Sequence, residues 1–298
     1  MKRRHFLASL ATVAPALLIP GLAQAFGITL GDFEIDTDTV VDALKSGKKI
    51  AAGFKDITPE QEYYIGRSVS AYILTKYKPL KHNKSRQYVN VMGQTLAMAS
   101  DLPETFGGYH FLVLDSDEIN ALSAPGGFVF VTKGLLQCCT TEDAMAAVLA
   151  HEIGHVQRQH GLQAIQKSRV SDGVTTLALT GTSTFSGGTL KELTTTFDGT
   201  IKDITTTMID SGYSRSFEEE ADTDAVTIMQ RVGYNPNYIV DMLSVMKSRI
   251  KPDGRGFART HPSPDDRMKV VTQAIGPYCK PKPNMNRGMR FLRMTGGM

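Results

Sequence analysis

Cysteine is scarce in this chain: three residues, Cys138, Cys139 and Cys279, among 298. That count rules out a small scaffold stapled by disulfides, and being odd it allows at most one internal bridge. Long apolar runs are missing as well. Only residues 6–19 form a mainly apolar stretch, and no later segment reaches the roughly 20 residues that a membrane-spanning helix needs. Charge of one sign is also nearly absent. The formal balance is +3, and setting Lys2, Arg3 and Arg4 aside leaves 30 of the 33 basic residues against 30 acids, which gives no electrostatic footprint for nucleic acid. What remains is the composition of a folded chain, 41% hydrophobic and 21% charged, long enough to bury a sizeable core.

Residues 1–25, MKRRHFLASLATVAPALLIPGLAQA, join a basic start to that apolar stretch and to the small residues of Ala23-Gln24-Ala25. This is the layout of an export signal cleaved after about Ala25, by the general secretory or the twin-arginine route. The mature chain is expected in a periplasm, without a transmembrane segment. In that oxidising compartment Cys138 or Cys139 bridges to Cys279, or all three stay thiols; the sequence fits both. Residues 26–57 read as a linker or N-terminal extension and 58–278 as the folded domain. Residues 279–298 read as a loosely ordered basic tail, with five basic residues and no acid. Inside the domain, 171–212 hold 13 Thr with many Ser and Gly, an insertion that is a lid over a cleft or a plain surface excursion. Turn residues, caps and apolar periodicity predict helices over 58–76, with Thr58 as N-cap, and over 84–100, 141–160, 214–231, 236–250 and 264–275. Strands are predicted over 109–114 and 127–132, with a turn at Pro125-Gly126-Gly127.

The chemistry is carried by His151-Glu152-Ile153-Gly154-His155, in the middle of an Ala-rich helix. Residues four apart on a helix share a face, so both imidazoles can bind one Zn²⁺ while Glu152 projects beside them toward a water. A catalytic zinc takes a third protein ligand. Glu218 supplies it, four residues before Asp222 on one helical face, with Asp222 hydrogen-bonding a ligating His. Glu219 and Glu220 are expected to be solvated. The rival ligand is Cys139, which lies some three helical turns from His151 in sequence.

These residues, HEIGH and Glu218-Glu219-Glu220-Ala221-Asp222, resemble the motifs of the HtpX, BepA, LoiP and CAAX prenyl endopeptidase family of zinc metallopeptidases. The run from Asn120 to Leu136, NALSAPGGFVFVTKGLL, is similar to the segment that family places ahead of its zinc helix. Thr260-His261-Pro262, with Arg267 following, is similar to a later one. The resemblance covers residues 58–275. It implies an α+β, mainly helical, zincin-type (gluzincin) metallopeptidase core with a small β-sheet beside the HExxH helix. It implies one Zn²⁺ per chain on His151, His155 and Glu218, Glu152 as general base, and active-site roles for His261 and Arg267 at the transition state or the zinc shell. The chain shows neither the transmembrane helices nor the tetratricopeptide repeats of some branches, and is most similar to the soluble periplasmic one.

The expected function is that of an exported zinc endopeptidase that hydrolyses unfolded or misfolded envelope proteins in quality control. The strand at Gly127, Phe128, Val129 and Phe130 is expected to receive extended polypeptide by strand addition. The alternative is a zinc-containing, client-holding, chaperone-like protein whose proteolysis is latent. Glu152 favours the enzyme, because a pure metal scaffold has no use for a base.

Overall fold

The structure, a computed structural model, describes residues 57–164, 205–206, 212–249, 261, 264–278 and 284–297. The export signal, Cys279, and nearly all of the 26–57 extension and of the 171–212 insertion lie outside the described residues. The described elements run α1 (Pro59–Lys76), α2 (Asn83–Ala97), β1 (His110–Leu114), β2 (Ala121–Ala124), β3 (Phe128–Thr132), α3 (Lys133–Leu136), α4 (Glu142–Gln157), α5 (Arg215–Val232), α6 (Asn237–Arg249), α7 (Pro264–Ile275) and α8 (Met285–Thr295). The fold is therefore mainly helical with one small sheet, the class read from the sequence. No described helix is long and apolar enough to cross a membrane.

Local chemistry sets where α1 begins. Thr58 Oγ1 accepts from the Gln61 amide at 3.2 Å, Gln61 Oε1 accepts from the Thr58 amide at 3.0 Å, and Pro59 presets the first turn. Its apolar face, Ile65, Val69 and Ile73, packs with Leu114, Ala124 and Phe130 of the sheet. Helix α2 buries Tyr88, Val89, Met92 and Leu96, the three- and four-residue spacing of one helical face, in the larger core.

The sheet has the order β1-β3-β2. Strand β3 runs parallel to β1, with His110 opposite Phe128 and Leu114 opposite Thr132, and antiparallel to β2, with Ala121 opposite Val131. Strand β2 was not expected from the sequence. Its four residues include two Ala and a Ser, weak strand formers that pair only because β3 offers a free edge. The β2–β3 connection, Pro125-Gly126-Gly127, needs φ of +75° and +98° at its two glycines, angles that side-chain-bearing residues avoid.

Helix α4 is the spine. Thr141 caps it, accepting from the Ala144 amide at 3.1 Å, and every residue from Ala144 to Val156 is buried. It stops at Gln157, three residues earlier than expected, because Gln159 adopts φ +54°, which no right-handed helix can contain. Cys138 and Cys139 are buried just ahead of it, each Sγ directed at the backbone carbonyl four residues earlier.

The C-terminal segment corrects the sequence reading. Residues 285–295 form helix α8, with Phe291 in the core and Asn284 capping the first turn. What orders it is Glu142, at the start of α4 and 1% exposed. Its carboxylate accepts from Arg290 Nε at 2.8 Å and from Arg290 Nη2, from Tyr234 Oη at 2.9 Å, and from Tyr88 Oη. A buried carboxylate needs such partners, and residues 279–298 contain no acid to pair with their own arginines. Burial raises the Glu142 carboxyl, but the hydrogen bonds from Arg290, Tyr88 and Tyr234 outweigh it and hold it below the usual range. A depressed carboxylate stabilises the fold above its unfolded pKa, and that stabilisation is lost as pH falls through the folded value. Arg290→Ala is expected to cost about 2 kcal/mol in neutral urea melts, less than a fully buried pair because the guanidinium is half in solvent. The variant should also lose less stability than the parent between neutral pH and about pH 4. A wild-type acid profile in the variant would contradict this.

Candidate metal centre

Helices α4 and α5 cross closely enough to mix their side chains. The contact is Gly154 on Ala221: a Cβ at Gly154 would lie 2.9 Å from the Ala221 carbonyl oxygen and 3.0 Å from its Cα. The Gly of HEIGH therefore serves the crossing. Across it, His151 and His155 of α4 meet Glu218 of α5, and His261 approaches from ahead of α7. One ligand-type atom from each of the four lies within 4.8 Å of all the others, and all four residues are buried. His155 Nε2 is 3.1 Å from His151 Nε2 and 3.3 Å from Glu218 Oε1; His151 Nε2 is 3.4 Å from Glu218 Oε2; His261 Nδ1 is 2.6 Å from that same oxygen.

This set fits a metal ion. Two ring nitrogens facing each other at 3.1 Å repel unless a proton or a metal stands between them. Glu218 Oε1 is buried without a hydrogen-bond partner among the described residues, the state of an oxygen kept for a metal. Imidazole nitrogens with one carboxylate are a donor set suited to zinc and its neighbours. Cys139 is not part of it: its Sγ faces the Leu135 carbonyl and the Met242 sulfur.

Both imidazoles are oriented from behind. His151 Nδ1 donates to Asp222 Oδ1 at 2.9 Å, and Arg267 grips the same carboxylate through Nε (2.9 Å) and Nη2 (2.6 Å). Arg267 is thus tied to Asp222, and it also bears on the cluster directly, its Nη2 lying 3.1 Å from His151 Nδ1 and its Nη1 3.8 Å from Glu218 Oε2. Sequence reasoning missed the partner of His155, which is His160, with Nδ1 to Nδ1 at 2.9 Å. Glu220, read as solvated, is only half so: its Oε2 accepts from His160 Nε2 at 3.2 Å. No periodicity could have flagged His160, which lies beyond the end of α4.

The charges follow from burial and neighbours. Burial raises the Glu218 carboxyl, but His261, His155 and His151 overcome that and hold it well below the usual carboxylate range. Burial likewise raises Asp222, and Arg267 with His151 brings it down to about 2. His155 is pushed down to about 4, chiefly by burial. His151 moves the other way: burial and Arg267 lower it, and Asp222 with Glu218 lifts it to about 9. A proton on His151 therefore holds the place between the rings until a metal displaces it.

Glu152 is 1% exposed and lines, with His151 and Arg267, an apolar cleft walled by Leu135, Val148, Met242 and Met246. The strand expected to receive substrate needs correction. Gly127, Phe128, Val129 and Phe130 lie at the start of β3, and β3 is the central strand, hydrogen-bonded on both sides. It has no free backbone edge to offer. The edge nearest α4 is β2. The Thr132 amide donates to the Asn120 carbonyl, so alternation turns the backbone of Ala121 and Ser123 away from β3. The Ser123 carbonyl accepts from Tyr213 Oη at 3.2 Å, and the Tyr213 ring stacks on His155 with centroids 4.2 Å apart. Tyr213, also missed from sequence, closes the gap between that edge and the histidine cluster.

A helix-borne pair of imidazoles with an adjacent glutamate, and a carboxylate from the next long helix, define a zincin-type metallopeptidase centre. Residues 83–275 match the model of peptidase family M48, and the chain belongs to that family. It is similar to the beta-barrel assembly-enhancing protease of Yersinia pestis, 27% identical over 96% of this chain and 58% of that protein. The Escherichia coli (strain K12) protein of the same name is 27% identical over 61% of this chain and 37% of its own length. The mitochondrial metalloendopeptidase OMA1 of Schizosaccharomyces pombe is 26% identical over 74% of this chain and 63% of that protein. The chain thus spans between about a third and three fifths of the length of these relatives.

Two outcomes follow from this geometry. Gly154→Ala forces α5 away at Ala221, one residue before Asp222; it should cost about 1–2 kcal/mol of stability and weaken divalent-metal binding together. Unchanged metal affinity would show that the crossing does not set the site. His151, with its pKa near 9, is protonated at pH 7, so metal binding there should release a proton and tighten as pH rises toward 9. Calorimetry in buffers of different ionisation enthalpy reads this directly, and a binding heat independent of buffer would contradict it.

Proposed function

We propose that this chain is a zinc-dependent endopeptidase, exported to the cell envelope, that cleaves unfolded or misfolded envelope polypeptides. The observation that carries the reading is Glu152, buried beside His151 at a centre whose remaining donors already suffice to hold a metal. His151, His155 and Glu218 are the ligands of one Zn²⁺. When bound, the ion lowers the pKa of a water toward 7 and polarises the scissile carbonyl. Glu152 takes the proton of the attacking water and delivers it to the leaving amine nitrogen. Asp222, held by Arg267, keeps the His151 ring in place with its proton on Nδ1. Family membership, and relatives named as proteases, support this reading.

Extended polypeptide adds to the β2 edge, where Ala121 and Ser123 present outward backbone groups, rather than to β3. An incoming strand takes the Ser123 carbonyl in place of the Tyr213 hydroxyl. Recognition by backbone favours unfolded segments, and the apolar cleft beside Glu152 favours an apolar side chain next to the cut. The expected leader at 1–25 supports the envelope location.

One observation favours the second reading, a client-holding protein with latent proteolysis. With His261 Nδ1 in the cluster the chain offers four protein donors, and a four-donor zinc site is closed to water. Casein degradation by the zinc-loaded mature chain separates the readings. Glu152→Gln should keep zinc and lose about 10²–10⁴-fold in rate. Cleavage that appears only in His261→Ala would identify the latent form, and none in either protein with zinc bound would overturn the peptidase.

A further inference from the structure

The turn after α4 is built in a costly way. Gln159 sits at φ +54°, a left-handed conformation that non-glycine residues adopt only when their surroundings impose it. The imposition is visible. Gln159 Nε2 donates to Glu62 Oε2 at 2.9 Å, and Glu62, 6% exposed on α1, accepts the Gly126 amide at 3.0 Å on its other oxygen. A buried carboxylate that ties together α1, the β2–β3 connection and the turn is an expensive device for ending a helix. What it accomplishes is the next residue. The chain doubles back and puts His160, fully buried, under the end of α4, its ring parallel to Phe217 at 4.2 Å and 7°.

We propose that His160 is a positioning residue for the metal centre, and that Glu220 sets, through His160, which nitrogen of His155 carries its proton. The inference rests on the reading of His155 as a ligand. Two Nδ1 atoms at 2.9 Å require one donor and one acceptor. His160 Nε2 faces the Glu220 carboxylate at 3.2 Å and so must carry the His160 proton. A neutral ring has only one, which leaves His160 Nδ1 an acceptor. His155 must therefore donate from Nδ1, and its Nε2, the atom that faces His151 and Glu218, is left with a lone pair for the metal. The opposite arrangement would put the His155 proton on Nε2 and spoil the site. Each ligating imidazole thus has an anion behind it: Asp222 in direct contact with His151, Glu220 one ring removed from His155. The interposed imidazole fixes ring and tautomer while letting the Glu220 carboxylate stay half in solvent.

The test uses the full chain, with zinc affinity read by competition against a chromophoric chelator and ligand geometry read from the visible spectrum of the cobalt(II) form. His160→Phe keeps the stack on Phe217 but offers no acceptor; it should lose about 10–100-fold in zinc affinity and change the cobalt spectrum. His160→Asn puts a carbonyl oxygen near the lost Nδ1 and should restore both. Glu220→Ala, at a half-exposed position, should fold as the parent does and lose about 3–10-fold. Equal losses in Phe and Asn variants would reduce His160 to packing and overturn the proposal, as would parental affinity in His160→Phe. Parental affinity in Glu220→Ala would overturn the part given to Glu220. His155→Ala guards the premise. If it binds zinc as the parent does, the ligand reading itself falls; if it loses zinc while His160→Phe does not, the positioning alone falls.

Discussion

Everything at this centre depends on two imidazole nitrogens being held face to face at 3.1 Å inside the protein. Such a pair is stable only with a proton or a metal between them, so the fold must deal with three protons: one on each Nδ1 and one that a metal can displace. The two Nδ1 protons are given permanent acceptors, Asp222 for His151 and His160 for His155. The third is left in a site whose neighbours, Asp222 and then Glu218, favour any cation. Affinity for metal is thus built less from the ligands than from where their protons are sent.

That disposition requires helices that cannot drift. Glu218, Glu220 and Asp222 are spaced over little more than one turn of α5, and each serves a different partner. A small slide of α5 along α4 would misplace all three. Gly154 against Ala221 sets the separation, and the apolar faces on both sides of the crossing, Met145, Leu149 and Ile153 on α4 with Ala225, Ile228 and Met229 on α5, are almost wholly buried. Each large side chain of that kind contributes about 1.5–3 kcal/mol on burial. The far end of α4 is fastened separately, through Glu142 to Arg290. The spine is held at both ends and along one side, which lets it carry a cluster of like-natured polar groups that would otherwise strain a core.

Much of this was legible in the sequence because the signals were local. Thr58-Pro59, Thr141 with Glu142 and Asp143, and Gly233 mark helix ends through interactions within a single turn. Four-residue spacing alone put His151 with His155 and Glu218 with Asp222. What could not be read was decided between distant segments. Strand β2 forms from residues that prefer no strand, because a partner edge is there. Helix α8 is ordered by a carboxylate about 150 positions earlier. His160 lacks any helical phase relation to His155, and only the left-handed Gln159, imposed by Glu62 almost 100 residues away, brings the two rings together. Strand addition at β3 failed for the same reason: a strand's sequence shows that it pairs, not whether it is central or at an edge.

On the proposed reading, the groups that stand in the way of a substrate differ in kind from those that hold the metal. His151, His155 and Glu218 lie within long helices whose backbones are pinned by cores and carboxylates. Tyr213, on the Ser123 carbonyl, precedes the N-cap of α5, and His261 precedes the first residue of α7 by three positions. Groups at the margins of elements have fewer backbone bonds to give up when they move, and local opening draws on such positions first. The arrangement therefore separates two requirements that conflict in a buried site. The ligands sit where displacement would cost the stability of the fold, while Tyr213 and His261, which cover the β2 edge and the fourth position, sit where displacement costs only the contacts they make.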